Sequence, residues 1–353
     1  MSVEGRAPEP RAQQGRERGG PPRIAVVIPA YRVRERILDV LAAIGPEVWR
    51  VYVIDDHCPD GSGDLVETQV HDPRVRVLRH ERNRGVGGAT ITGYTAALQD
   101  GAGVVVKVDG DGQMDPRQIP DFVRPILDGR ADYTKGNRFF SVESLCEMPP
   151  LRTAGNAVLS FLNKVASGYW KVMDPTNGYT AVHAAVLAMV PLHKLDPRWF
   201  FESDLLFRLN TLGAVVEEVP MEAVYRGERS NLRVSSVVLG FPPRFLSRFC
   251  KRVFYNYFLR DFNVCSLEIV AGLSLSGFGA AFGLYHWYRS IVDRVAATTG
   301  TVMLAALPVI LGFQLLLAAV GHDVGSVPNQ PLHRRRAGAP PDGEAGQRPA
   351  AEP

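Results

Sequence analysis

The chain has 353 residues, 46% of them hydrophobic and 22% charged, with a formal net charge of +3 at pH 7. That composition excludes a wholly disordered chain and a wholly membrane-buried one. So small a charge gives no footing for nucleic-acid binding. Cys58, Cys146, Cys250 and Cys265 are scattered, without C-x-x-C spacing or a nearby metal-ligand His. They read as reduced thiols of a cytoplasmic compartment.

Residues 1–22 are rich in Pro, Gly, Arg and Gln and lack an apolar signal-peptide core, so a disordered tail is expected there. From Arg23 the pattern changes. "RIAVVIPAY", "WRVYVIDD", "VRVLRHERNRG" and "GVVVKVDGD" predict four strands, and "ATITGYTAALQ" a helix before the fourth. Near-continuous Val/Ile runs alternating with helices predict a parallel, doubly wound α/β sheet. Such sheets bind ligands outside the carboxyl ends of their strands. "DYTKGNRFF", "GYTAVHAAVLAMV" and "FFESDLLFRLNTLGAVVEEVP" continue the mixed α/β pattern and bound a domain at residues 23–235.

Residues 236–262 interleave Arg244, Arg248, Lys251, Arg252 and Arg260 with aromatics, which predicts a helix lying on an anionic membrane surface. Within 263–322, the stretches 265–287 and 300–320 each reach the roughly 20 apolar residues that cross a bilayer. Glu268 lies near one end of the first stretch, and Tyr285, Trp287 and Tyr288 form an interfacial belt at the other. The alternative, two buried helices of a soluble protein, fits these lengths less well. Gly279 and Gly283 in "GAAFG" offer a small-residue helix contact. "RRR" at 334–336 follows the second stretch, while the connector holds only Arg289 and Arg294. The positive-inside rule then predicts a multi-pass plasma-membrane protein with both termini and the α/β domain in the cytoplasm. Residues 323–353 read as a second disordered tail.

The chemistry concentrates in "VKVDGDGQMDP", where Asp109, Asp111 and Asp115 fall within seven residues. Asp115 followed by Pro116 is a helix N-cap with Pro at the first helical position. Asp109 and Asp111 come before that turn, and the spacing of a calcium loop is absent. What remains is a divalent ion, Mg²⁺ or Mn²⁺, shared between carboxylates and a phosphate-bearing ligand. Asp55 and Asp56 end the second strand, where they can accept hydrogen bonds from a ribose or a base, or stabilise the turn "DDHCPDGSGD". "RNRGVGGA" sets Arg84 and Gly85 ahead of a helix N-terminus, a plausible anion site that matches neither G-x-G-x-x-G nor a P-loop.

Taken together, "VVIPAY", "IDD", "NRGVGGA", "DGDGQ", "GNRF", "DPTNGYTAV", "ESD" and "YRGERSNL" resemble the family 2 glycosyltransferases of GT-A fold. The resemblance covers residues 24 to 320 and is strongest to the polyprenyl-phosphate branch typified by dolichol-phosphate mannosyltransferase. It implies a GT-A type mixed sheet followed by an interfacial helix and two transmembrane helices. It implies that Asp56 contacts the nucleotide of a UDP- or GDP-sugar, in a pocket shared with Pro29, Tyr31, Asp55, Arg84 and Gly85. Asp109, Asp111 and Gln113 would hold the metal and the donor diphosphate, and Arg138 would lie near the acceptor loop. Arg226, Arg229, Ser230 and Arg233 would neighbour the phosphate of a polyprenyl-phosphate acceptor. Two positions depart from the pattern: Cys58 stands where Ser is usual, and Asn231 where a basic residue is common. A homo-oligomer is compatible with all of this.

The expected reaction is inverting transfer by single displacement. A hydroxyl acceptor would need a general base, for which Glu202 or Asp204 in "FFESD" could serve, although an acid at Glu202 also suits a helix start. A polyprenyl phosphate, with a second pKa of about 6, is already largely dianionic and needs none. The rival expectations are transfer to a hydroxyl of a lipid-linked sugar or glycan, and a non-catalytic membrane scaffold with a relict nucleotide pocket.

Overall fold

A computed structural model describes residues 22–140, 150–221 and 234–337. Among the described residues seven strands form one sheet: β1 Ile24–Ala30, β2 Val48–Asp55, β3 Val75–Arg79, β4 Val104–Lys107, β5 Tyr133–Asn137, β6 Thr180–His183 and β7 Val216–Pro220. Their order across the sheet is β3-β2-β1-β4-β6-β5-β7. β3, β2, β1 and β4 run parallel, whereas β6 is antiparallel to both β4 and β5, and β5 is parallel to β7. The sheet is therefore mixed, with one all-parallel half and one half turned by β6.

The Val/Ile runs are covered on both faces, and the period of two sorts them. Val26, Ile28, Val51, Val53 and Val106 pack with Ile37, Val40, Ile119 and Phe122 on one side. Ala25, Val27, Tyr52, Ile54 and Val105 pack with Ala89, Tyr94, Leu205 and Leu209 on the other. The first face is covered by α1 (Ile37–Ala42) and α4 (Ile119–Leu127), with α2 (Ser62–Gln69) beside β2. The second is covered by α3 (Gly85–Gln99) and α7 (Phe201–Leu212). Each fully buried Val, Ile or Leu contributes about 1.5–3 kcal/mol relative to exposure, so this double covering supplies most of the drive to fold. α5 (Pro150–Ser167) and the short α6 (Ala184–Leu187) complete the domain.

Beyond it come α8 (Val234–Phe254), a π-helical turn at Tyr255–Arg260, α9 (Val264–Asp293), α10 (Thr299–Gly325) and α11 (Leu332–Ala337). The 30-residue α9 and 27-residue α10 have mean hydropathies of 1.6 and 2.3 over their most apolar windows, of which only 11% is buried. At 1.5 Å per residue they are about 45 and 40 Å long, more than the roughly 30 Å of bilayer hydrocarbon. Both are long and apolar enough to cross a membrane. They pack on one another through small residues: a Cβ on Gly279 would lie 2.7 Å from the Ala305 carbonyl oxygen, and Gly272 faces Gly312.

Two expectations change here. The arginines of residues 236–262 were expected to face anionic lipid. Instead Arg244 pairs with Asp196, Arg248 with Asp204 and Arg252 with Asp323, and Arg260 donates to the Thr211 carbonyl. The buried carboxylates of Asp204 on the domain and Asp323 on α10 draw Arg248 and Arg252 inward, while Arg244 and Arg260 stay exposed alongside Leu246, Phe254, Leu259 and Phe262. The second concerns residues after 323, whose composition suggested a disordered tail. α10 runs on to Gly325, and α11 docks on the domain, where Leu332 and His333 donate their backbone N–H to Asp132 at 2.8 and 3.1 Å. Composition carries no sign of such an anchor, because the carboxylate that makes it lies 200 residues upstream.

Candidate active site

Parallel pairing of β1 with β2 and β4 sets their carboxyl ends side by side, Ala30 opposite Asp55 and Val27 opposite Lys107. That edge carries Pro29 in β1 and Tyr31 just after it, Asp55 ending β2 and Asp56 just after it, and Asp109, Asp111 and Gln113 in the loop after β4. Tyr31 is exposed at the rim, with the Arg32 guanidinium 5.5 Å from its ring centre. Asp115 caps the turn Pro116–Gln118, accepting from the Arg117 N–H at 3.0 Å, as its Asp-Pro sequence predicts. Gly112 turns the preceding loop with φ of +77°, a conformation costly for a side-chain-bearing residue. Asp111 Oδ1 accepts from the Gln113 N–H at 3.0 Å, so these acids stay outside the helix, at the sheet edge.

A residue that the sequence reading passed over organises this edge. Lys107, 1% exposed at the end of β4, places its ammonium 2.7 Å from Asp109 Oδ1, 3.2 Å from Glu202 Oε1 and 3.2 Å from the Gly178 carbonyl oxygen. Burial opposes its charge, but the carboxylates of Asp109 and Glu202 prevail and hold its pKa above the ordinary lysine value. One signal was available. A lysine ending a run of buried valines needs an anion, and Asp109 two residues on shares its face of the strand.

Asp56 and the glycine loop have a structural task in the fold. The buried Asp56 carboxylate accepts the backbone N–H groups of Arg84 and Gly85, both at 2.8 Å, and lies 2.7 Å from His80 Nδ1. It thereby fixes the start of α3. Gly88 N–H donates to the Pro197 carbonyl at 2.8 Å, and a Cβ at Gly87 would stand 2.4 Å from the Asp196 carbonyl oxygen. These glycines admit the segment 196–198, which leads straight into α7 and Glu202. Asp55 Oδ1 accepts from the Cys58 N–H at 2.8 Å, a turn-stabilising role.

Further along the sheet, Arg138 grips the fully buried Asp174 through two parallel bonds, Nε to Oδ2 at 2.7 Å and Nη2 to Oδ1 at 2.9 Å. Lys135, equally buried, donates to the Asn177 carbonyl, and burial pulls its pKa down to about 8 against the pull of Glu202 and Asp174. Asp174 and Lys135 escaped the sequence reading. Asp204, expected as a base, is completely buried with Oδ1 2.7 Å from Arg248 Nε and Oδ2 accepting from the Asp196 N–H at 3.0 Å. That placement suits a clamp between α7 and α8 better than proton transfer. Glu202 lies two residues earlier on α7, its Oε1 3.2 Å from the same Lys107 ammonium that holds Asp109. Arg226, Arg229, Ser230 and Arg233 lie outside the described residues.

Comparison with known proteins matches the glycosyl transferase family 2 profile to residues 25–189. The undecaprenyl-phosphate mannosyltransferase of Micrococcus luteus is 31% identical over 222 residues, covering 62% of this chain and 90% of the relative. The chain belongs to glycosyl transferase family 2. A second relative in the family, the UDP-N-acetylglucosamine–dolichyl-phosphate N-acetylglucosaminyltransferase of Methanococcus voltae, is 28% identical over 232 residues, 62% of this chain and 92% of that one. Among solved structures, glucosyl-3-phosphoglycerate synthase from Mycobacterium tuberculosis in complex with uridine diphosphate superposes with a TM-score of 0.50 at 20% identity, over 65% of this chain and 80% of that one. That likeness concerns the fold, a GT-A type mixed α/β sheet.

For a family 2 glycosyltransferase, the donor set at the β4 edge is chemically apt for a hard divalent cation. Asp109 and Asp111 offer carboxylate oxygens and Gln113 an amide oxygen, the ligands that Mg²⁺ and Mn²⁺ accept. Among the described residues no group of three His, Cys, Asp or Glu side chains forms a self-contained cage. Such a partial set is the kind that substrate phosphates and water complete.

Proposed function

We propose that this protein moves a sugar from a nucleoside-diphosphate donor to a polyprenyl phosphate at the cytoplasmic face of the plasma membrane. The observation that carries the reading is what the two relatives share. Their names differ in the sugar, mannose in one and N-acetylglucosamine in the other, but agree on a polyprenyl-phosphate acceptor. Two helices long enough to cross a bilayer, joined to the domain through α8, support an acceptor that is itself held in a membrane.

The chemistry divides accordingly. An acceptor phosphate oxygen attacks the anomeric carbon, the bond from that carbon to the donor diphosphate breaks, and the nucleoside diphosphate departs with inversion. A Mg²⁺ or Mn²⁺ ion, when bound, supplies Lewis-acid neutralisation of the charge gathering on that leaving group. Asp109, Asp111 and Gln113 are the residues that would hold it. The Lys107 ammonium, 2.7 Å away, holds the Asp109 carboxylate in place at the sheet edge. The same ammonium engages Glu202, which favours an acceptor that arrives already deprotonated over a hydroxyl needing a base. The arginines at 226, 229 and 233 would screen the acceptor phosphate.

Isothermal titration calorimetry in detergent tests the donor half. UDP- and GDP-sugars should bind tighter with Mg²⁺ or Mn²⁺ present, and Asp111→Asn should erase the gain while the chain stays folded. Metal-independent binding that is equal in both proteins would refute the assignment.

A further inference from the structure

Among the described residues, Arg252 on α8 is the bulkiest fully buried side chain, 1% exposed. Its guanidinium meets Asp323 near the end of α10 with two contacts, at 2.6 and 3.0 Å. Its remaining donors reach the carbonyls of Val165 and Ala166 at the last turn of α5, at 2.9 and 3.2 Å. Asp323 is shared further: Tyr257 O–H donates to it at 2.6 Å, and Trp170 Nε1 of the sheet domain at 2.8 Å. One carboxylate on the second apolar helix thus ties together α8, the π-helical turn after it and the catalytic domain.

A buried ion pair of this kind is a poor way to gain stability, because desolvation consumes much of the Coulombic attraction. It is a good way to fix a single arrangement, since every alternative leaves a charge buried without its partner. The elements it joins bear on the site. α5 follows directly on the segment after Arg138, and α8 carries Arg248, whose partner Asp204 lies two residues from Glu202. Nine residues beyond Asp323 the chain is held again, where Asp132 accepts from the backbone N–H groups of Leu332 and His333.

We infer that Asp323 and Arg252 are positioning residues that lock the catalytic domain at one height and tilt above the bilayer, so that the sheet edge meets an acceptor headgroup anchored in the membrane. The inference rests on the proposed acceptor for its purpose, but not for its geometry. Asp323 touches neither donor nor acceptor in this account; it acts through α5, α8 and Trp170.

The test uses the full chain in lipid nanodiscs, with encoded, cysteine-independent spin labels replacing the exposed Arg124 on the domain and Leu284 on α9. The unsubstituted joint should give one narrow inter-label distance. Asp323→Asn should broaden it, leave the nucleotide-sugar dissociation constant within twofold, and lower kcat/KM for a long-chain polyprenyl phosphate at least tenfold. A short-chain, water-dispersed polyprenyl phosphate should be used within threefold of the unsubstituted rate. Trp170→Phe keeps an aromatic side chain and removes the hydrogen bond to Asp323, and gives a smaller broadening; it carries the test if Asp323→Asn does not fold. A distribution as narrow in both variants as without them would overturn the inference, and so would equal losses on both acceptors. Broadening in a protein that uses no polyprenyl phosphate at all would leave the lock standing and remove the proposed acceptor.

Discussion

The ammonium of Lys107 stands 2.7 Å from Asp109 Oδ1, and both groups belong to the β4 end, whose loop also carries Asp111. The pair makes the first of the proposed metal carboxylates a fixed group. Replacing Lys107 by Met should leave Asp109 and Glu202 facing one another without a counter-charge. Breaking a buried pair in this way costs about 3–5 kcal/mol. Urea denaturation should show that loss, and donor binding should weaken with it. A variant as stable as the parent would mean that the two carboxylates find another cation.

Glu202→Gln separates the two classes of acceptor. With a polyprenyl phosphate, turnover should fall by less than about tenfold, since general-base catalysis, worth roughly 10²–10⁴-fold, is not in use. A loss of a hundredfold or more in steady-state assays would return Glu202 to the role of base.

The contact between α3 and the 196–198 segment gives a stability prediction. Gly85 has φ of +87°, and a Cβ there would lie 2.7 Å from the Pro197 carbonyl oxygen, a backbone atom with little room to move. Gly85→Ala should cost about 1–3 kcal/mol, the range for strained backbone sites. Thermal unfolding would report it, with weaker donor binding because Asp56 and the start of α3 shift together.

Part of this was legible in the chain and part was not. The four parallel strands could be read because β1 and β4 are buried on both faces and so show continuous Val/Ile runs. The Asp-Pro cap at Asp115 could be read because it is a local pattern. Local patterns also suggested nucleotide roles for Asp56 and for the glycines at 85–88, whose partners in the fold are backbone groups at 84–85 and 196–197. The partners of Arg248, Arg252 and Asp132 are 44, 71 and about 200 residues away, beyond the reach of any periodicity. Their charges were visible in sequence; what they neutralise was fixed by packing alone.

A pH dependence follows from the place where α11 docks. His183 Nδ1 accepts the Ala185 N–H at 3.2 Å, and its ring stacks on His333 with centres 4.4 Å apart, beside Asp132. Burial, reinforced by His333, pulls the His183 pKa down from 6.5 to about 4. The neutral ring is the folded form, so its contribution is complete above pH 6.5. As the pH falls from 6.5 toward 4 the unfolded chain takes up the proton first, and stability is lost. His183→Asn keeps a capping acceptor without the titration. The parent should lose on the order of 1–2 kcal/mol more than the variant across that window, a figure reduced for the ring's partial exposure. Parallel denaturation curves at pH 7 and pH 4.5 check it; equal losses in the two proteins would contradict it.

The most direct measurement is of the product itself. Membranes containing the protein are incubated with a labelled nucleotide sugar, Mg²⁺ or Mn²⁺ and a polyprenyl phosphate, and the lipid extract is analysed by mass spectrometry before and after mild acid. The account predicts one polyprenyl-phosphate sugar, its sugar released by mild acid, and none of it with Asp111→Asn. A lipid-linked sugar that survives mild acid would contradict the account, as would a product made equally well by that variant.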